Sequence, residues 1–227
     1  MEYDIRHRPA YALLDISLDP GEQVTAEAGA MVSHSAGIDI ETKKGSDSIF
    51  QSLKTSVLGG ESFFRNTFSA PDGGSVTLAP PLPGDIVPYE LVGETVYVQS
   101  GSYLAADSEM EIDTALGGTK SFFGGEGLFL LKLTGSGPAY FASYGAVESI
   151  DLDAGESHIV DTGHIVAFTD ETEWSVRKVG GLKSTLLSGE GLVCEFTGPG
   201  TVWLQTRSQD AFLSWLIPQL PTQNSSA

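Results

Sequence analysis

The chain has 227 residues, 41% of them hydrophobic, which is ordinary for a globular core. Thirty acidic residues against 12 basic ones give a formal net charge of −18. The densest cationic spots, Arg6-His7-Arg8, Lys43-Lys44 and Arg177-Lys178, stand alone, which argues against nucleic acid and anionic membranes as partners.

The acids are spread along the chain rather than gathered in a tail. That pattern reads as a halophilic surface in a salty cytoplasm, where a Debye length of about 3 Å at 1 M salt screens the self-repulsion. No stretch approaches the roughly 18 apolar residues of a membrane helix. The opening Met1-Glu2-Tyr3-Asp4 lacks the basic and then apolar pattern of a secretory signal, so a cytoplasmic protein is expected.

In chain order, Tyr11–Leu18 alternates as a half-buried strand does. Asp19-Pro20-Gly21-Glu22 follows as a type II turn, with Pro presetting φ and Gly accepting a positive one. Ser46–Leu58 carries Ile49, Phe50, Leu53 and Val57 on one stripe and predicts a helix capped by Ser46 and ended at Gly59. Gly135-Ser-Gly-Pro138 is a turn. Val147–Leu152 alternates again and runs into Asp153-Ala-Gly155-Glu156, the first turn repeated. Cys194 shares a strand face with Leu192 and Phe196, as a small buried hydrophobe would. Ser208–Ile217 predicts a second helix with Phe212, Trp215 and Leu216 on one face and Pro218 beyond its end, a lid on a β core. Residues 218–227 read as a disordered tail.

The chain also repeats itself. Gly-Glu, six residues, Gly and then an apolar residue three further on occurs from Gly21, from Gly93 and from Gly155, with second glycines at Gly29, Gly101 and Gly163. A second element recurs in the same order: Gly59-Gly-Glu61-Ser-Phe-Phe64, Gly124-Gly-Glu126-Gly-Leu-Phe129 and Ser188-Gly-Glu190-Gly-Leu-Val193. These elements define three tandem copies, residues 1–84, 85–144 and 145–217. Turn signals at such intervals predict about twenty short strands in a sandwich or barrel-like all-β fold. Three equal units pack most simply around a pseudo-threefold axis, which covers otherwise free strand edges.

Chemistry is scarce. The histidines are His7, His34, His158 and His164, and no pair has metal-ligand spacing. No Gly-x-Ser-x-Gly elbow and no phosphate-cradling Gly-x-x-x-x-Gly-Lys-Ser/Thr loop is present, so no catalytic residue, metal site or cofactor is expected. The one recurrent ionisable set is Glu61, Glu126 and Glu190. Around an axis these would converge to bind a hard cation or another ligand; as a copied feature, they would each satisfy turn amides. Trp174, Trp203 and Trp215 read as core residues.

Four segments carry a resemblance: Gly59–Phe64, Glu126–Phe129, Asp161-Thr-Gly-His-Ile-Val-Ala-Phe168 and Trp203-Leu-Gln-Thr-Arg207. Together they resemble signatures of the altered inheritance of mitochondria protein 24 family. The resemblance implies a fold similar to the tryptophan RNA-binding attenuation protein, a short double-stranded β-helix repeated three times around a pseudo-threefold axis. It implies no established reaction and no catalytic residues. The family's mitochondrial role does not carry over to a chain without an Arg-rich transit region, and RNA binding does not carry over to this charge. The expectation is a non-enzymatic cytoplasmic scaffold or interaction protein that associates with itself or a protein partner. The alternative is a small-molecule or metal-binding module using clefts between the copies.

Overall fold

Alternation builds the first inner strand. The structure, a computed structural model, describes residues 1–44, 64–114, 129–178 and 192–220. Strand β2 (Leu13–Leu18) buries Leu14, Ile16 and Leu18 and lies antiparallel between β1 (Glu2–Arg6) and β7 (Gly74–Leu78). Arg6 and Thr77 both donate to Asp15 across these ladders, and the Arg6 bond above all holds its carboxyl below the usual range. Strand β4 (Met31–His34) closes the order β1-β2-β7-β4.

The predicted turn is present: Glu22 N donates to Asp19 O at 3.0 Å with Gly21 at φ 88°, and Glu156 N to Asp153 O at 2.9 Å with Gly155 at φ 80°. The second glycines differ. Gly29 has φ 96°, whereas Gly101 and Gly163 sit inside 3-10 turns, Ser100–Ser102 and Thr162–His164.

Strands β3 (Gln23–Glu27), β5 (Asp39–Lys44) and β6 (Phe64–Ser69) pair in the order β3-β6-β5. Next come β8 (Ile86–Gln99), β9 (Tyr103–Asp107), β10 (Glu111–Thr114) and β11 (Leu130–Ala142). β8 and β11 pair along their whole lengths, with Gly93 and the bulge at Gly135/Ser136 marking where each bends. The C-terminal half of β11 also pairs β9 and its N-terminal half pairs β10. Last come β12 (Val147–Leu152), β13 (Ser157–Asp161), β14 (Ile165–Thr169), β15 (Glu173–Lys178), β16 (Leu192–Thr197) and β17 (Gly200–Gln205). They form β12-β17-β14 and β13-β16-β15. Two ladders join these groups, β3 to β9 and β8 to β14, and extend one sheet to ten strands.

The fold is therefore all-β, with seventeen strands among the described residues rather than about twenty short ones. The difference lies partly in β8 and β11, each of which runs through a point where separate strands were expected. The helix predicted at 46–58 lies outside the described residues. The second predicted helix is α1 (Gln209–Leu216), capped by Ser208, whose Oγ accepts from Ala211 N at 3.4 Å. Pro218 does not simply follow the helix but lies in a 3-10 turn, Ile217–Gln219. Of the expected tail, residues 221–227 lie outside the described residues.

Three apolar clusters form the core, one around β2, β3 and β7, one around β8, β9 and β11, and one around β14, β16 and β17. Trp203 and Trp174 pack on the second and third, with Trp203 5.0 Å from Tyr89 and Trp174 5.6 Å from Phe168 between ring centroids. Trp215 corrects the expectation: it is 63% exposed, and no residue of α1 is buried. A helix of about two turns, touching the rest of the fold through the Phe212–Tyr144 ring contact, leaves much of its apolar stripe in water.

Tyr140 is fully buried, its ring 5.2 Å from Tyr3, and its hydroxyl has no hydrogen-bond partner. An unsatisfied buried hydroxyl costs about 1–3 kcal/mol. Tyr140→Phe is therefore expected to stabilise by about 1 kcal/mol. In a thermal melt that is a rise of roughly 2–4 °C for a chain of this size; a fall would mean that the hydroxyl is bonded.

The segments meet at Asp85. Arg8 donates to both of its carboxylate oxygens, from Nε at 2.7 Å and from Nη2 at 2.9 Å, and Ile86 N donates to it at 2.8 Å. Asp85 N donates to Gly145 O at 3.1 Å and Ser143 N to Asp85 O at 3.0 Å. Alongside, Gly84 bridges Gly145 in parallel, and Ala12 N donates to Gly84 O at 3.0 Å.

Candidate functional site

The glutamates singled out by the repeat, Glu61, Glu126 and Glu190, lie outside the described residues. The glutamates of the other repeated element can be followed. Glu22 Oε2 accepts from Asp19 N at 2.8 Å, and Glu156 Oε2 accepts from Asp153 N at 3.0 Å, so each closes its own turn. Glu94 instead accepts from Tyr89 Oη at 3.0 Å. Burial first, and this bond second, push the Tyr89 phenol up to about 12.

Among the described residues, no group of three or more metal-ligating side chains comes together. His158 is exposed on β13. His164 ends a 3-10 turn, and its Nδ1 lies 2.7 Å from Gln205 O. Cys194 is 2% exposed, and burial pushes its thiol up to about 12, so the thiolate that reacts is scarce at neutral pH.

One open cleft of about 470 Å³ lies beside α1, lined by Tyr144, His164, Thr206, Arg207, Phe212 and Trp215 among others. Phe212 meets Tyr144 edge-on at 6.0 Å and Trp215 at 6.2 Å. Its floor is fixed by Gln205, whose Oε1 accepts from Tyr144 N at 2.8 Å while Nε2 donates to Gly163 O at 2.9 Å. Aromatic walls with one guanidinium and one imidazole suit a flat or anionic small molecule. Sequence reasoning reached His164 but not this cleft, because Tyr144 and Phe212 are far apart in the chain and neither belongs to a motif.

Two strand edges form a different kind of surface. β4 is exposed along its length, with Met31 at 40% and Val32 at 54%. On β13, Ile159 is 52% exposed. Among the described residues, each strand pairs on one side only, β4 with β7 and β13 with β16. Their outer backbone groups can accept a further strand.

These sheets, their core clusters and the helix at the margin define an all-β protein of several antiparallel sheets. The chain belongs to the family described as mitochondrial biogenesis AIM24, which matches residues 3–207. It is similar to an uncharacterised protein, M6_Spy0233, of Streptococcus pyogenes serotype M6, at 29% identity over 232 residues, spanning 99% of this chain and 93% of that protein. It is also similar to the crystal structure of protein SPYM3_0169 from Streptococcus pyogenes, with a TM-score of 0.81 at 28% identity, covering 96% of this chain and 99% of that one. No helix among the described residues is long and apolar enough to cross a membrane.

Proposed function

We propose that this protein is a non-enzymatic scaffold or interaction protein of the cytoplasm that associates with copies of itself. The observation that carries the reading is the pair of apolar strand edges, β4 and β13, that are unpaired among the described residues, because solvent-exposed edges of this kind recruit further strands. The scaffold is built from three copies, residues 1–84, 85–144 and 145–217, around a pseudo-threefold axis. Supporting this are the matching ladders β2-β7-β4, β8-β11-β9 and β12-β17-β14, and likewise β3-β6-β5, β8-β11-β10 and β13-β16-β15. The acidic surface suits association at high salt, where charge repulsion between copies is screened. Light scattering across a wide range of protein concentration in concentrated KCl tests the reading. A native mass of several chains is expected; a single-chain mass at every concentration overturns it.

The cleft beside α1 favours a second reading, a small-molecule module, with Glu61, Glu126 and Glu190 as a further ligand set. A ligand at a hundred times its dissociation constant stabilises by about 2.7 kcal/mol. A thermal-shift panel of metals and anionic metabolites is expected to give such a shift. It should be lost in Arg207→Ala for a cleft ligand, or in Glu61→Gln, Glu126→Gln and Glu190→Gln for a cation. A panel with no shift overturns this reading.

A further inference from the structure

The polar groups of the cleft beside α1 are not a feature of the sequence repeat. Ile165 faces Leu204 as Met31 faces Leu78 and Tyr103 faces Phe141, each being the second residue after Gly163, Gly29 or Gly101. By that register His164, Gln205 and Arg207 stand where the first repeat has Ala30, Ala79 and Pro81. The second repeat has Ser102, Ala142 and Tyr144 at the same places. Copying therefore does not account for these three side chains.

Two of them have a structural task. The buried Gln205 ties Tyr144 N to Gly163 O, and its own carbonyl accepts from His164 Nδ1. The Arg207 guanidinium has none. It makes one bond, from Nη1 to the carbonyl of the adjacent Thr206 at 3.0 Å. Arg6, Arg8 and Arg177 each pair with a carboxylate. Among the described residues Arg207 pairs with none, although the chain has 30 acids to offer. The residue is nonetheless held in place. Arg207 N donates to Tyr144 O at 3.2 Å, and Thr206 N donates to Ala146 O at 3.0 Å. Its stem lies beside Gly145, where a Cβ would come within 3.1 Å of Arg207 Cγ. The remaining N–H groups of the guanidinium fork are left for a ligand.

The other wall is aromatic. Phe212 and Trp215 lie three residues apart on α1, with their rings 6.2 Å apart at 33°, and Trp215 is 63% exposed. A carboxylate matches the planar fork, and a flat ring matches the aromatic wall. The volume of about 470 Å³ is that of a small-molecule site. A single guanidinium balances a single negative charge. Asp161, bonded to Gly163 N, and Asp210, in the first turn of α1, repel a second one in a chain of net charge −18.

Resting on the small-molecule reading given above, we propose that the cleft binds a planar aromatic monocarboxylate, its carboxylate on Arg207 and its ring against Trp215 and Phe212.

Naphthalene-2-carboxylate is the probe, titrated into the full chain by calorimetry beside the neutral naphthalene-2-carboxamide and acetate. Saturable binding of the carboxylate is expected, several-fold tighter than that of the carboxamide, with none for acetate. Arg207→Gln should weaken the carboxylate by roughly tenfold and leave the carboxamide unchanged, which removes the discrimination. Trp215→Ala should weaken both ring compounds by about threefold or more. Both positions are exposed, so the fold survives the changes, and unchanged melting of the free variants checks this. Equal affinity for carboxylate and carboxamide, or naphthoate binding that ignores both variants, overturns this assignment. So does a failure of naphthoate where another metabolite or metal of the thermal-shift panel binds, and that result leaves the small-molecule reading standing. No binding by naphthoate or by any member of the panel overturns both.

Discussion

Gly84→Ala is expected to destabilise the fold more than any other glycine-to-alanine change among the described residues. A Cβ at Gly84 would lie 1.8 Å from the Ser143 carbonyl oxygen and 2.7 Å from its carbon. Both are backbone atoms, so no side-chain rotation relieves the clash. The Gly84–Gly145 bridge would have to part, and with it the bonds that Asp85 and Ser143 exchange. Overpacking costs about 1–3 kcal/mol where side chains can yield; here the loss should reach at least about 3 kcal/mol, a fall of roughly 6–12 °C in melting temperature. Gly21→Ala is a useful contrast, because its Cβ would meet nothing within 4 Å and only the positive φ is strained. If the two variants melt alike, the close approach at Gly84 is not what holds the segments together.

The second large effect is at the neighbouring ion pair. Arg8→Ala is expected to cost about 3 kcal/mol, because it leaves the buried Asp85 carboxylate without its counter-charge. That is the low end for a buried pair, since Arg8 itself is half-exposed and is already partly solvated. Asp85→Ala should cost less, as the freed guanidinium returns to water and only the Ile86 amide loses an acceptor. The double variant should be more stable than the sum of the two losses implies, by 1 kcal/mol or so, in a chemical-denaturation cycle. Additive losses would mean that Arg8 and Asp85 act separately.

Much of this molecule is visible in its residue order. Asp19-Pro20-Gly21-Glu22 specifies its turn unaided, because Pro and Gly fix the two central φ angles locally. The alternation of β2, the inward Cys194 and Phe196, and the Ser208 cap of α1 are likewise local patterns that burial and capping follow directly. The family resemblance rests on short segments of the same kind.

What the order of residues does not contain is which edges meet. Trp215 shares a helical stripe with Phe212, yet whether that stripe is covered depends on how far the sheet margin extends beneath it. The cleft joins Tyr144, His164 and Arg207 only because β17 brings Gln205 between them. The clash at Gly84 and the ion pair from Arg8 to Asp85 arise from chain crossings that no local pattern records. The sequence by itself determined the all-β class, the Gly21 and Gly155 turns and the capped helix after Ser208. Only the tertiary structure decided that β3 pairs β9 and β8 pairs β14 while, among the described residues, β4 and β13 each pair on one side, since pairing depends on the positions of whole strands in space and not on the residues within them.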